Sequence, residues 1–316
     1  MPSPGLLSNT RVDISERDTQ LIAATADRSA APDRLRRAYL ADAGLVGITV
    51  IWGSTFVVIK DALGGVGPFE FVALRFAVAF VALAVVFHRR LARLGPVGLR
   101  AGLIIGLFLF AGYALQTAGL QLTTASMSAF ITGLCVVMVP IVAFLALRQR
   151  IGRGAIVAVL LAPIGLWLLT NGQQASFGTG ELLTLACAVA FAAHITSISA
   201  YAARYDAIGL AIVQVGVVAA LATGATLAFE RPLIVPGQAV WFSVLYTGLL
   251  GSALVLGVQT RIQQYTTATH AALVFSLEPV FAALFAYLVA HETLGGTGLI
   301  GAAILVGAMV IAEVRR

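Results

Sequence analysis

Glu278 stands midway along an apolar run and is followed at once by Pro279. A carboxylate in such a place can bind an ammonium group or a proton; it can also be a neutral buried acid or a cap on a neighbouring helix. The proline removes one backbone hydrogen bond and frees a carbonyl a turn earlier. Arg75 lies in another apolar run, five residues after Glu70. Its planar fork suits a bound carboxylate, and equally suits Glu70 or free carbonyls. His194 and His270 could move a proton near neutral pH, although a lone histidine among apolar residues is more often a neutral hydrogen-bonding group. An uncharged set shares the same runs: Trp52, Ser54, Thr55, Tyr113, Gln116, Ser197, Tyr201, Gln214, Tyr246 and Gln259. Around one chamber these would give an apolar wall with a few placed donors and acceptors, and Trp52 and Tyr113 could stack on an aromatic molecule. For each, packing between helices or one bond to a neighbour is the plainer alternative.

The elements that carry these residues follow from composition. Of 316 residues, 59% are hydrophobic and 11% charged. A soluble domain holds about 25% charged residues and could not hide this much apolar surface. That excludes a soluble enzyme, a disordered chain and a nucleic-acid-binding domain, and leaves a polytopic membrane protein. Residues 1–42 are polar, hold six arginines and read as a cytoplasmic tail with a short surface helix near Arg34–Tyr39. Ten spans are predicted, at 43–63, 68–87, 101–121, 124–147, 154–171, 179–202, 208–229, 239–258 (running on toward 264), 269–289 and 297–314. Each covers about 30 Å of hydrocarbon as a helix, the form that satisfies its own backbone in lipid.

Charge sets the orientation. By alternation, one side collects the tail arginines, Arg89, Arg90, Arg93, Arg100, Arg148, Arg150, Arg153, Arg204, Arg261, Arg315 and Arg316. The other has Arg231 and, at its edge, Lys60. Both termini are therefore predicted to be cytoplasmic, in a multi-pass protein of the cell (inner) membrane. Cys135 and Cys187 read as small core residues, with no disulfide or metal pair.

The chain repeats itself at an offset of 143. Residues 116–125 (QTAGLQLTTA) align without gaps on residues 259–268 (QTRIQQYTTA), and Ser54 falls on Ser197. The unit is five spans, 43–171 and 179–314, and an odd unit duplicated in tandem must run in opposite directions. Inverted repeats of this kind recur in secondary transporters, with a site near the midplane between the halves.

The residues resemble the drug/metabolite transporter superfamily, EamA type. The resemblance rests on Trp52-Gly53-Ser54-Thr55-Phe56 with Lys60, on Pro68 followed by Arg75-Phe76, and on the joint repeated in both halves. It rests too on Ser276-Leu277-Glu278-Pro279-Val280-Phe281 followed by His291-Glu292-Thr293-Leu294. The first half departs from this pattern, with Cys135-Val136 where the second has Glu278-Pro279. The resemblance implies an all-α membrane fold of ten helices as two inverted five-helix repeats. It also implies export of amino acids, aromatic ones included, or related small metabolites, by alternating access.

Other signals fail their context. Gly296–Gly301 fits G-x-G-x-x-G but follows no strand, and the sole lysine, Lys60, is in no P-loop. The expectation is a transporter and not an enzyme, without cofactor or metal. Its partners are the bilayer, a small-molecule substrate and, through coupling, protons; nucleic acid is not among them. The alternative is a carrier or channel for drug-like cations or nucleotide sugars.

Overall fold

The computed structural model describes residues 43–148, 150–172, 177–230, 236–265 and 268–314; the tail, with its expected helix near Arg34–Tyr39, lies outside them, as do the side chains of Thr269 and His270. The described chain forms ten apolar helices. They are α1 (Ala43–Ala62), α2 (Pro68–Ala92), α3 (Gly95–Leu122), α4 (Ala125–Leu147), α5 (Arg153–Gly172), α6 (Thr179–Tyr201), α7 (Ala207–Phe229), α8 (Gln238–Gln263), α9 (Ala268–Phe275 with Glu278–Ala290) and α10 (Gly296–Val314). Among the described residues α1 to α9 are long and apolar enough to span a bilayer, and α10, 19 residues long, is the tenth apolar helix.

Sequence chemistry sets most helix boundaries. Pro68 opens α2, where a missing N–H costs nothing. The Thr124 hydroxyl caps α4 through Met127 N, and Asp206 caps α7 through Gly209 N at 2.8 Å. Arg148 and His291, offset by 143, end α4 and α9 with left-handed φ values of 56° and 54°. Four irregularities interrupt otherwise regular spans, the first at Phe87 of α2, which leaves helical geometry. α4 breaks at Leu134, between Ala125–Gly133 and Cys135–Leu147. α9 breaks at the position 143 residues on, between Ala268–Phe275 and Glu278–Ala290. α8 contains a π turn over Leu249–Leu254, which has no counterpart among the described residues of α3.

The packing is symmetric between the halves. α2 packs on α7, α4 on α9 and α5 on α10, each a helix against its own repeat partner. α3 packs on α6 and α7, and α8 correspondingly packs on α1, through the Trp52 indole on the Gly251 carbonyl, and on α2. Exchanging the halves leaves this set of pairs unchanged, as a two-fold axis in the membrane plane requires. Glycine permits the closest crossings. A Cβ on Gly53 would collide with Phe281 and the α9 backbone, one on Gly133 would press on Pro279, and one on Gly301 would meet the backbone of α5. Gly102 and Gly106 lie against Val213 and Val217 of α7, so this G-x-x-x-G is a helix contact and does not face lipid.

Side-chain ties confirm the alternation of the spans. The Lys60 ammonium donates to the Leu120 and Gln121 carbonyls at 2.9 and 3.1 Å. Glu292, beyond α9, accepts from the Ala125 and Ser126 amides at 3.0 Å each and from the Ser126 hydroxyl at 2.7 Å. Glu230, beyond α7, accepts from the Phe69 and Glu70 amides at 2.9 and 2.7 Å. Each charge meets the helix end whose dipole it complements. These ends share one face; Arg90 and Asp206, paired at 2.9 Å, lie on the opposite, arginine-rich face. The Glu292→Gln variant should lose about 1–2 kcal/mol of stability, the worth of a strong helix cap. A reduced thermal midpoint of the purified protein in lipid nanodiscs is the expected reading; an unchanged one would mean that the cap is dispensable.

Candidate functional site

At the middle of the bundle, where α4 and α9 break, a cavity opens that leaves about 40 Å³ for the centres of water molecules, room for a few waters. Its wall is aromatic: Trp52, Phe56, Tyr113, Phe191 and Phe275. Trp52 meets Phe275 edge-on with centroids 5.4 Å apart, and Tyr113 meets Phe191 in the same way at 5.2 Å. The polar lining comes from Thr55, Gln116, Thr132, His194, Gln259 and Glu278, with Cys135 beside them as a free thiol.

Ten of the lining residues form five pairs at the repeat offset: Trp52 with Ile195, Tyr113 with Leu256, Gln116 with Gln259, Thr132 with Phe275, and Cys135 with Glu278. The repeat thus builds a chamber that is two-fold in shape. Its chemistry is one-sided. In four pairs the members differ in chemistry, and only the glutamines are kept in both halves.

Glu278 opens the second half of α9 and is partly exposed to this space. Among the described residues no hydrogen bond or ion pair reaches its carboxylate. Pro279 cannot donate to the Phe275 carbonyl, which therefore lacks its helical partner. Gln259 is 1% exposed, and its Oε1 is left without a donor. The amide could be turned the other way, but then its donors would need partners instead. Either way, a buried polar group at the cavity is unsatisfied by protein, the usual mark of a bound water or ligand.

Of the thirteen residues expected from sequence to line a cavity, seven do so: Trp52, Thr55, Tyr113, Gln116, His194, Gln259 and Glu278. The others sit elsewhere, each with a local reason. Arg75 lies behind the wall. Its Nε donates to the Ser252 hydroxyl at 2.7 Å and its Nη2 to the Gly251 carbonyl at 3.1 Å, with the guanidinium 4.7 Å from the Tyr113 ring centre. Neither Glu70 nor Glu278 is its hydrogen-bond partner. The π turn of α8 is what presents the Gly251 carbonyl, and the same oxygen takes the Trp52 indole N–H at 3.1 Å. Ser54 and Tyr246 are spent on each other at 2.7 Å. Gln214 joins His194 (2.7 Å) to the Thr260 hydroxyl (3.0 Å). Ser197 is half-buried on α6 outside the lining, and the His270 side chain lies outside the described residues.

Sequence reasoning missed Phe56, Leu109, Thr132, Cys135, Phe191, Ile195, Leu256 and Phe275. Ile195, Leu256 and Cys135 were within reach, because each lies 143 residues from a lining residue that the sequence singles out (Trp52, Tyr113 and Glu278); Thr132 and Phe275 pair only with each other. Phe56, Leu109 and Phe191 carry no such signal. Cys135, expected in the core, is buried but borders the chamber, and Cys187 lies behind it against the Thr132 hydroxyl at 3.5 Å.

A bundle of apolar spanning helices, built as two halves with matching helix contacts around a central chamber of aromatic walls and a few polar groups, is the build of a membrane transport protein. The comparisons with known proteins carry this to a family. The EamA-like transporter family matches residues 40–171 and again 178–313, and the chain belongs to that family. An uncharacterized transporter of Archaeoglobus fulgidus is 34% identical over 89% of this chain and 88% of its own length. A chloroplastic WAT1-related protein of Arabidopsis thaliana is 29% identical over 82% of this chain and 66% of its own. The uncharacterized transporter YoaV of Bacillus subtilis is 24% identical over 83% and 92%. One crystal structure, 19% identical, superposes with a TM-score of 0.66 over 85% of this chain and 94% of that one; it speaks to the fold alone.

Proposed function

We propose that the protein is a secondary transporter that exports amino acids or related small metabolites across the cell (inner) membrane by alternating access, with both termini cytoplasmic. The observation that carries this is the central chamber. Among the described residues it holds one carboxylate without a counter-charge, a glutamine acceptor without a donor, and aromatic walls on both sides. An ammonium group has three donors to offer such acceptors, and an apolar or aromatic side chain fills the rest. The face that holds Arg89, Arg90, Arg93, Arg148, Arg153, Arg204 and Arg261 is the cytoplasmic one by the positive-inside rule. The opposite face carries the Glu292, Glu230 and Lys60 ties, which would have to part for outward release. A proton on Glu278 in the substrate's absence would couple export to the proton gradient.

A second reading has an observation of its own. Arg75 does not reach the chamber, and no lysine or arginine lines it. An amino acid would have to rest its carboxylate on neutral donors such as Gln116 and Thr132. Cationic amines have no carboxylate to place and suit aromatic rings around one acid. Nucleotide sugars, with their phosphates, suit this lining least.

Purified protein in liposomes tests both readings. Counterflow of labelled amino acids, and its competition by organic amines, should reveal saturable exchange. Exchange of zwitterions supports the first reading, and of cations alone the second. Movement of neither class, or of nucleotide sugars instead, would remove the proposal. The same vesicles under an imposed pH gradient report coupling: accumulation against the substrate gradient is expected, and simple equilibration would exclude a proton antiport.

A further inference from the structure

Among the cavities that the carrier reading leaves unused is one that ends at the arginine-rich face. It is a groove of about 400 Å³ on the flank of the bundle, between the arginine-side half of α2 and the second half of α8. Its walls are Ala82, Leu83, Val86 and Phe87 from α2, Ile208 at the start of α7, and Leu249 to Ile262 of α8. Two features hold the helices apart here. The π turn of α8 offsets the helix beyond Leu254, and Phe87 leaves helical geometry at φ −121°, ψ 24°. Ala253 and Gly257 keep the floor low; a Cβ on Gly257 would touch only the tip of Leu83 at 4.0 Å. The lips are open, with Val86 66% and Leu254 47% exposed. From Leu249 to Arg261 the groove follows about 18 Å of helix, close to the depth of one leaflet of hydrocarbon.

The groove has one charged lining residue, Arg261, at the end that reaches the arginine-rich face. Its guanidinium lies over the exposed Tyr265 ring at 5.3 Å. The acid at the start of α7, Asp206, does not compete for it, since Asp206 is taken by Arg90 and by Gly209 N. An apolar slot one leaflet deep that ends in a cation with no acidic partner among the described residues has the shape and charge of a single lipid. We propose that this groove is a binding site for an anionic phospholipid, its acyl chain lying between α2 and α8 and its phosphate held by Arg261. Basic positions at the membrane surface select anionic lipid in this way, and on the reading above this is the leaflet that carries it. The occupant would wedge the π turn of α8, so its presence bears on the movement of that helix.

The test uses the whole protein in micelles, titrated with phosphatidylglycerol or with phosphatidylcholine of the same chains and read by native mass spectrometry. Wild type should retain phosphatidylglycerol about fivefold over phosphatidylcholine, the preference one interfacial basic residue supplies. Arg261→Gln should bring the two lipids to parity. Gly257→Phe should fill the slot and lower retention of both. Equal retention by wild type, or an undiminished preference in Arg261→Gln, would overturn the proposal. Inorganic phosphate added in excess should not displace the lipid; displacement would mean a site for free anions instead. Because the readout is lipid retention, the result stands apart from whether any solute is transported.

Discussion

Substrate affinity in the Glu278→Gln variant is expected to fall by about twofold to thirtyfold. A hydrogen bond to a charged group contributes about 1.5–3 kcal/mol where a neutral one contributes about 1, and each 1.4 kcal/mol is a factor of ten. Glutamine is nearly the shape of glutamate, so the chamber, the break in α9 and the Phe275 carbonyl should survive. The concentration dependence of counterflow would rise in half-saturation for any substrate that presents an ammonium. A neutral solute would move as before. Glutamine also takes no proton, so accumulation driven by a pH gradient should vanish while exchange at equal pH persists. Unchanged affinity together with an unchanged response to the gradient would remove Glu278 from the site. The partner position offers a control: Cys135→Ser changes the same ring of the chamber from the other half, without a charge, and should leave the pH response intact.

Arg75→Met is expected to be the most damaging single change outside the chamber. The side chain is 1% exposed and ties α2 to the π turn of α8, while its face supports the Tyr113 ring. Methionine would keep part of the volume but strand the Ser252 hydroxyl and weaken the grip on the Gly251 carbonyl. The cost should be about 2–4 kcal/mol, the usual range for removing a buried polar tie. Arg75→Lys restores a charge but not the fork, and should recover only part of this. The effect on the site is indirect and can be read separately. Trp52 donates to the same Gly251 carbonyl, so its indole should loosen. With Trp167 and Trp241 replaced by phenylalanine, Trp52 is the one tryptophan left. Its emission should shift and become more accessible to quenchers in Arg75→Met. A folded variant with an unmoved Trp52 spectrum would reduce Arg75 to a helix staple with no bearing on the chamber.

The sequence by itself determined the membrane class, the ten spans to within a few residues apart from the arginine-side ends of α2 and α3, and the family resemblance that the EamA match then established. It could do so because those properties are written in local or linear terms: hydrophobic length, proline and cap residues, and a fixed repeat offset. Even Arg148 and His291, which end their helices in the same left-handed turn, obey that offset. What the sequence could not decide is which polar side chains face inward. Arg75 and Glu278 are both rare charges in apolar helices, and nothing local tells them apart. The tertiary structure separated them because a π turn exposed a carbonyl that a guanidinium could reach, and a proline break left a carboxylate beside unpaired acceptors. Ser54 and Tyr246 likewise look like chamber residues until the packing of α1 on α8 brings their hydroxyls within 2.7 Å of each other. In lipid a polar group takes the first partner that geometry offers, and only the crossing of distant helices settles whether that partner is the protein or a substrate.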